Sequence, residues 1–350
     1  MNSKHDRFNS QMKAALFYGP EDIKLEEMTL PDLAQGEVLV EVKAALTGGT
    51  DVKTYLRGHP RIIKKTPSSF GYEFSGIVKK SKSEKFKMGD RVVAANTAPC
   101  YECYFCKKTE YELCENLDFL NGSFAEEIII PAQIVKHNTY KIPEGLSFEK
   151  AALVQTLAVA LHGFEKSQIK DGDVVCVYGI GAIGQCFIKL CKILRKDIEI
   201  FAVGSSELKL ELAKKNKAHY VVNYKKTNIE EYIDERTDYG CDVVIEAVGK
   251  PEAWSKALRL VRPGGLVNFF GGCPKGTSIE LDSFQAHYSE LRTVGVFHHT
   301  PRHIQEALKL ISQGKIDLSD LITETTSLDQ LEEALKRMIS GEALKVLIQN

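Results

Sequence analysis

The sequence predicts an α/β chain of two domains, a β-rich first one and a doubly wound parallel second one. Three observations carry this. The 350 residues are enough for about two domains of ordinary size. The first half reads as short strands broken by Gly, Pro and Asp, the pattern of a largely antiparallel β domain. From about residue 172, near-continuous apolar runs alternate with helical stretches, which is how parallel strands covered on both faces read. With 43% hydrophobic and 27% charged residues, the composition is that of a globular chain and excludes disordered, collagen-like and fibrous proteins. A net charge of −1 gives no long-range pull on phosphate backbones or acidic lipid, so neither nucleic acid nor a membrane is an expected partner. No apolar run reaches the ~18 residues of a membrane span.

The elements follow in order. Residues 1–11, MNSKHDRFNSQ, lack an apolar segment and read as a flexible tail, not a secretory signal. MKAALFYG, EVLVEVKAAL, FSGIVKK, DRVVAAN and FAEEIIIP are the strands of the first domain. In the second half DVVCVYG, IEIFAVG, AHYVVN, CDVVIEAVG, GLVNFFGG and LRTVGVF are strand-like, with helices at Ala182–Arg195, Glu207–Lys215 and Glu252–Val261 between them. Six such strands match a complete doubly wound (Rossmann) fold. Two amphipathic helices, His303–Gln313 and Leu328–Ser340, lead to a last strand, LKVLIQ. There are no internal repeats and no low-complexity tract.

Gly179-Ile180-Gly181-Ala182-Ile183-Gly184 has the spacing G-x-G-x-x-G between a strand and a helix, the context that gives this pattern meaning. Gly179 permits the tight turn, Gly181 lets a diphosphate approach the backbone, and Gly184 lets helix and strand pack closely. The helix N-terminus then offers unpaired N–H groups to the diphosphate. An NAD site places Asp or Glu at the end of the second strand; here stand Val203-Gly204-Ser205-Ser206. A 2′-phosphate meets no repulsion there, and Ser205, Ser206, Lys209, Tyr224 and the following Lys225 and Lys226 are candidate partners for it. NADP(H) is the favoured coenzyme, and a loosened NAD site is the alternative.

Of nine cysteines, Cys100, Cys103, Cys106 and Cys114 fall within fifteen residues. Four thiolates at this spacing, in a lobe over 98–116, predict a closed, structural zinc; unliganded or iron-bound thiols are the alternative. Cys176, Cys186, Cys191, Cys241 and Cys273 sit in apolar stretches and read as core residues. Unpaired thiols point to a reducing, cytoplasmic compartment.

GDRVV (89–93), PCYECYFC (99–106), IPEGLSFEKAAL (142–153), RPGG (262–265) and VFHHTP (296–301) resemble the zinc-containing medium-chain alcohol dehydrogenases, in particular the sorbitol and threonine dehydrogenase branch. The resemblance covers about Met12 to Asn350. It implies a GroES-like catalytic domain over 12–160 and 299–350, a Rossmann domain over 161–298, and an active site in the cleft between them. It also implies coenzyme contacts from Ala247, Val248, Gly249, Phe270, Gly271 and Val296, and a meeting of Lys345 with the pyrophosphate. Such enzymes form dimers or tetramers, often by joining Rossmann sheets along the strand holding GLVNFF, which would otherwise be an exposed edge.

The departures from the family pattern concern its catalytic zinc. The Cys of A-x-x-C-G-[ST]-D is Gly48 here, the His of G-H-E is Tyr72, and the acidic or Cys ligand before L-A-x-x-x-H-G is replaced by Gln155-Thr156. Zinc wants thiolate, imidazole or carboxylate, so a catalytic zinc is predicted absent unless Asp51 and Glu73 turn inward to hold one. Without a Lewis acid, oxidation of a plain alcohol is hard. Hydride addition to a conjugated C=C yields an enolate, which hydrogen-bond donors alone can stabilise; an activated carbonyl is the other reasonable substrate. Tyr72 and Thr50 stand where a metal ligand and the proton-relay hydroxyl would be, and both can donate. Either they polarise the substrate oxygen, or Tyr72 fills the vacated cavity and Thr50 is a turn hydroxyl. Asp51 and Glu73 are expected to hold Tyr72, Lys53 or Arg57. His59 is a further candidate acid, His162 a structural residue at the start of the inter-domain helix, and His298 and His299 follow the sixth strand.

The leading expectation is an NADP(H)-dependent reductase with a structural zinc, a small-molecule substrate and identical chains as partners. A zinc-type polyol dehydrogenase with unusual metal ligands and a non-catalytic NADP(H)-binding sensor are the alternatives.

Overall fold

The computed structural model describes residues 11–59 and 61–349, so all but the last residue of the expected tail lies outside it. The chain divides into two compact units: one runs to Gln155 and resumes at Ile322, the other is Thr156–Leu321. The helix Pro301–Ser312 falls in the second unit. The His303 ring lies 4.8 Å from that of His162 and its Nε2 is 3.1 Å from Glu165 Oε2, both on the helix Val154–Lys166. His162 itself lies past the middle of that helix, not at its start.

In the first unit, Gln11–Gly19 and Asp22–Thr29 form an antiparallel pair. The second of these went unread in the sequence because it is charged and largely exposed. A larger sheet runs in the order Thr139–Lys141, Arg91–Ala94, Glu73–Ser81, Val38–Leu46, Lys345–Gln349, Ile322–Ser327, with Glu127–Ile130 also paired to Val38–Leu46. Val38, Val40 and Val42 are buried while Leu39, Glu41 and Lys43 between them are half-buried, the period of two that puts alternate side chains on one face. That face joins Phe70, Phe74, Phe124 and Ile130 in the core. The last strand pairs antiparallel with Val38–Leu46, Leu347 facing Leu46 and Ile348 facing Ala45. This register brings Lys345 back to residues 47 and 48, where the helix Gly49–Arg57 begins. Asp51, at the third helical position, accepts the Gly48 N–H at 2.7 Å, half of a capping box that fixes the helix start.

The second unit holds a six-stranded parallel sheet in the order Tyr220–Asn223, Glu199–Gly204, Val174–Tyr178, Cys241–Glu246, Val261–Phe269, Arg292–Gly295. Val175, Cys176 and Val177 have no exposed surface, as a central strand covered on both faces requires. The strand carrying GLVNFF is interior, because Arg292–Gly295 adds a further strand outside it; the edge that sequence reasoning placed at GLVNFF is Arg292–Gly295. Cys176, Cys186, Cys191 and Cys241 are buried as expected, whereas Cys273 is only half-buried because it lies beyond the end of its strand, in the turn that follows. Among the described residues no helix is long and apolar enough to cross a membrane.

Candidate functional site

The strand order of the second unit reverses between Val174–Tyr178 and Cys241–Glu246, and ligands of such sheets bind outside the carboxyl ends at that reversal. The predicted coenzyme residues collect there. Gly179, Ser205, Tyr224, Ala247, Phe270 and Val296 each directly follow the last residue of a strand. The edge is laced together by its own backbone: Gly179 N–H donates to Val203 O at 2.9 Å, Ala247 N–H to Tyr178 O at 2.8 Å and Gly271 N–H to Glu246 O at 2.8 Å. The buried Glu246 carboxylate accepts the Val248 and Gly249 N–H groups at 2.8 and 2.9 Å. Gly179 has φ +104°, a turn geometry that glycine alone adopts freely. A β-carbon on Gly184 would stand 2.2 Å from Gly179 O, and one on Gly204 would stand 2.5 Å from Ile180 Cγ1, but one on Gly181 would meet nothing within 4 Å. The first two glycines are therefore demanded by the protein's own packing. The third leaves bare backbone in front of the Ala182–Leu194 helix, which starts without a side-chain cap, so Ala182 and Ile183 present free helix N–H groups beside it.

Near the ends of the first three strands a cavity of about 500 Å³ is lined by Tyr178, Tyr224, Lys225, Lys226, Asn228 and Lys256, among others. The rings of Tyr178 and Tyr224 stack with centroids 6.2 Å apart. Lys226 is paired with Glu207 at 3.2 Å and Lys256 with Glu230 at 3.0 Å. Lys209 is half-buried beside Ser205 and Ser206, and burial lowers its ammonium from the usual lysine value.

In the first unit Cys100, Cys103, Cys106 and Cys114 bring all four sulfurs within 4.8 Å of one another. Individual separations are 3.4 Å for Cys100–Cys114, 3.9 Å for Cys103–Cys114 and 4.0 Å for Cys100–Cys106. A tetrahedron of sulfurs about 2.3 Å from zinc has edges of about 3.8 Å, so the four thiols fit a closed zinc site. Backbone N–H groups of Glu102 and Cys103 bring the Cys100 thiol down to about 6, toward the thiolate that a metal takes.

The structure also brings Thr50, Asp51, Tyr72, Glu73 and Lys345 together. Tyr72 is 7% exposed. Burial first, then the carboxylates of Asp51 and Glu73, push its phenol well above the usual tyrosine range, while a hydrogen bond with the Thr50 side chain works the other way. Tyr72 is thus a protonated donor beside a second hydroxyl. Glu73 Oε2 accepts from Lys345 Nζ at 2.7 Å, and Lys345 also donates to Thr47 O at 2.8 Å. Lys345 is 1% exposed. The register of the last strand is what brings Lys345 to Glu73.

The residues at the family's catalytic metal position do not suit zinc. Gly48 has no donor atom, Tyr72 is held as a phenol, and the Gln155 amide oxygen already accepts the Asn96 N–H at 2.9 Å. A cation, Lys345 Nζ, lies 3.7 Å from where a Gly48 β-carbon would stand. The other candidates have structural partners. His59 Nδ1 accepts the Arg61 and Ile62 N–H groups at 3.3 Å each. His162 Nδ1 meets His298 O at 3.0 Å, and His299 is buried and held well below the usual histidine value, first by burial and then by its histidine neighbours. Sequence reasoning missed the partnership of Lys345, Glu73 and Asp51; residues 272 positions apart give no local signal.

Residues 34–144 match the model of the alcohol dehydrogenase GroES-like domain and residues 182–313 that of the zinc-binding dehydrogenase domain. The chain is 30% identical over 348 residues to a sorbitol dehydrogenase of Bacillus subtilis, covering 96% of this chain and 97% of that protein. It is 30% identical to an erythritol/L-threitol dehydrogenase of Mycolicibacterium smegmatis, over 96% of this chain and 97% of that one. Among solved structures, a zinc-binding dehydrogenase of Sinorhizobium meliloti bound to NADP superposes with a TM-score of 0.88 at 27% identity, covering 97% of this chain and 100% of that one. An alcohol dehydrogenase from Thermus superposes with a TM-score of 0.86 at 28% identity, over 97% and 99%. With the doubly wound sheet, the glycine loop and the four-cysteine lobe already in place, the chain belongs to the zinc-containing medium-chain alcohol dehydrogenase family, in its sorbitol-dehydrogenase-like branch.

Proposed function

We propose that this oxidoreductase uses NADP(H), holds one structural zinc on Cys100, Cys103, Cys106 and Cys114, and works without a catalytic metal, reducing a conjugated C=C bond or an activated carbonyl. One observation carries the reading: a buried, protonated Tyr72 beside Thr50 stands at the family's metal position. Bound NADPH supplies a hydride. The backbone at Gly181 and the following helix N-terminus receive the diphosphate, and Ser205, Ser206, Tyr224 and Lys225 receive the 2′-phosphate, with no carboxylate at the end of the second strand to repel it. The NADP in the Sinorhizobium structure supports this choice. Tyr72, oriented by Thr50, donates to the substrate oxygen and stabilises the negative charge that develops there. An enolate needs less such help than an alkoxide, which is why a site with hydroxyl donors and no Lewis acid favours these substrates.

The names of the relatives favour a second reading, a polyol dehydrogenase. Metal content and turnover separate the two. Protein purified without added metal should carry about one zinc per chain and oxidise NADPH with enones, quinones or activated aldehydes. Tyr72→Phe should lose at least about tenfold in kcat. Two zincs per chain with polyol oxidation would establish the second reading instead, and a fully active Tyr72→Phe protein would remove Tyr72 from the chemistry. Self-association through the exposed edge Arg292–Gly295 belongs to the same proposal: Phe284, Tyr288 and Phe297 near that edge are 68%, 70% and 41% exposed, an apolar surface of the kind a second chain covers. The buried cysteines, none of them in a disulfide among the described residues, fit a reducing cytoplasm.

A further inference from the structure

Near Tyr72 lie three groups that are charged in water and shut away from it here: Asp51, Glu73 and Lys345 are 2%, 6% and 1% exposed. Glu73 Oε1, Asp51 Oδ2 and Lys345 Nζ stand 3.2, 3.4 and 3.7 Å from the single point that a β-carbon on Gly48 would occupy. The charges do not balance, since two carboxyl groups face one ammonium. Lys345 is committed to Glu73 Oε2 and to Thr47 O. Asp51 accepts the Gly48 N–H at 2.7 Å and, among the described residues, no cation is hydrogen-bonded to it. A second buried carboxylate without its own cation is costly, and two acids in one site keep a proton between them.

We infer that Asp51 carries a proton beside the Glu73–Lys345 pair, and that neutral Asp51 is a positioning residue whose lack of charge lets Tyr72 stabilise negative charge on the substrate oxygen. The inference rests on the reading of Tyr72 above. Every group facing Asp51 fits it. Burial, the largest cause, and then the Glu73 carboxylate raise the Asp51 carboxyl to about 8, against the pull of the Gly48 N–H and of Lys345. Tyr72 feels the same pair: an ionised Asp51 or Glu73 disfavours negative charge at its oxygen. Ionising Asp51 therefore makes Tyr72 a poorer donor and opposes the charge that forms in the reaction. Asp51 makes and breaks no bond in this role; it acts through its charge on Tyr72.

Two substitutions should move the pH profile in opposite directions. Asp51→Asn keeps the shape and removes the ionisation, so the alkaline fall in kcat/KM should disappear. Glu73→Gln removes the like charge that holds the proton on Asp51, so the fall should come about one pH unit or more earlier. The test pairs that profile, measured from pH 6 to 10 with NADPH and an enone, with carbon-13 NMR of protein labelled at the aspartate carboxyl carbon. One carboxyl resonance should titrate near pH 8, be absent from Asp51→Asn, and titrate lower in Glu73→Gln. An Asp51 carbon that titrates in the ordinary aspartate range, or an alkaline limb unmoved in Asp51→Asn, overturns the inference. Absence of turnover with every enone, quinone and aldehyde overturns the reductase reading and the role of Tyr72 with it, while the carbon titration still decides whether Asp51 holds the proton.

Discussion

Two glycines three residues apart should fail in different ways when given a methyl group. A β-carbon on Gly184 would stand 2.2 Å from Gly179 O and 3.0 Å from Gly179 C, about an ångström inside normal contact. The obstacle is backbone, so the Ala182–Leu194 helix must shift off the strand. Overpacking of this kind costs about 1–3 kcal/mol, and a unit of this size loses about 2–4 °C per kcal/mol. Gly184→Ala should therefore lower Tm by about 2–12 °C and weaken NADPH binding as well. At Gly181 a β-carbon meets no protein atom within 4 Å, and φ −67° suits any residue. Gly181→Ala should leave the nucleotide-free Tm unchanged within about 0.5 kcal/mol. Its methyl group would stand where the diphosphate closes on the backbone, so the Kd for NADPH should rise at least about tenfold, or 1.4 kcal/mol. Thermal unfolding without nucleotide and titration of NADPH fluorescence measure the two quantities separately. Wild-type NADPH affinity in Gly181→Ala would refute the placement of the diphosphate, and an unchanged Tm in Gly184→Ala would refute the packing argument.

Chelation under denaturant-free conditions should release about one zinc per chain and lower Tm, since a structural site contributes folding energy directly; release without a change in Tm would deny the four-cysteine lobe that role. Lys345→Met should destabilise the first unit by about 3–5 kcal/mol, because it strands the buried Glu73 carboxylate, as urea unfolding would show. His303 is held at about 4, by burial first and by His162 second. Its folded value lies below the unfolded one of about 6.5, so the unfolded state binds the proton first as pH falls. Stability should drop between about pH 6.5 and 4, and His303→Asn should flatten that slope; equal slopes in the two proteins would exclude His303 as a source.

The parts of this molecule that were legible in the sequence are those whose cause is local. The central strands Val174–Tyr178, Glu199–Gly204 and Cys241–Glu246, buried on both faces, are continuous apolar runs, and the strands beside them repeat at the same spacing, so the second unit's sheet could be read in full. The G-x-G-x-x-G turn and the four clustered cysteines each sit within a stretch short enough that spacing alone implies geometry. Helix boundaries drifted by a residue or two, and the helix Gly49–Arg57 went unread, because GTDVKTYLR has few apolar residues and a glycine for an N-cap. The position of GLVNFF failed for a different reason: whether a strand is edge or interior depends on which later segment pairs beside it, and here that segment is Arg292–Gly295.

The site around Tyr72 shows the same division more sharply. The replacements at residues 48, 72 and 155 were readable one by one, and they say what the site lacks. What it contains instead depends on the last strand, since the pairing of Leu347 with Leu46 is what carries Lys345 to Glu73. With Lys345 hydrogen-bonded to Glu73, Asp51 has, among the described residues, no cation bonded to it, and Tyr72 faces both acids. Replacing two buried acids and a buried lysine within 3.7 Å of one point by apolar residues would often be neutral or stabilising. Their presence beside a protonated phenol supports the proposal that this pocket is a working site with hydroxyl donors in place of a Lewis acid.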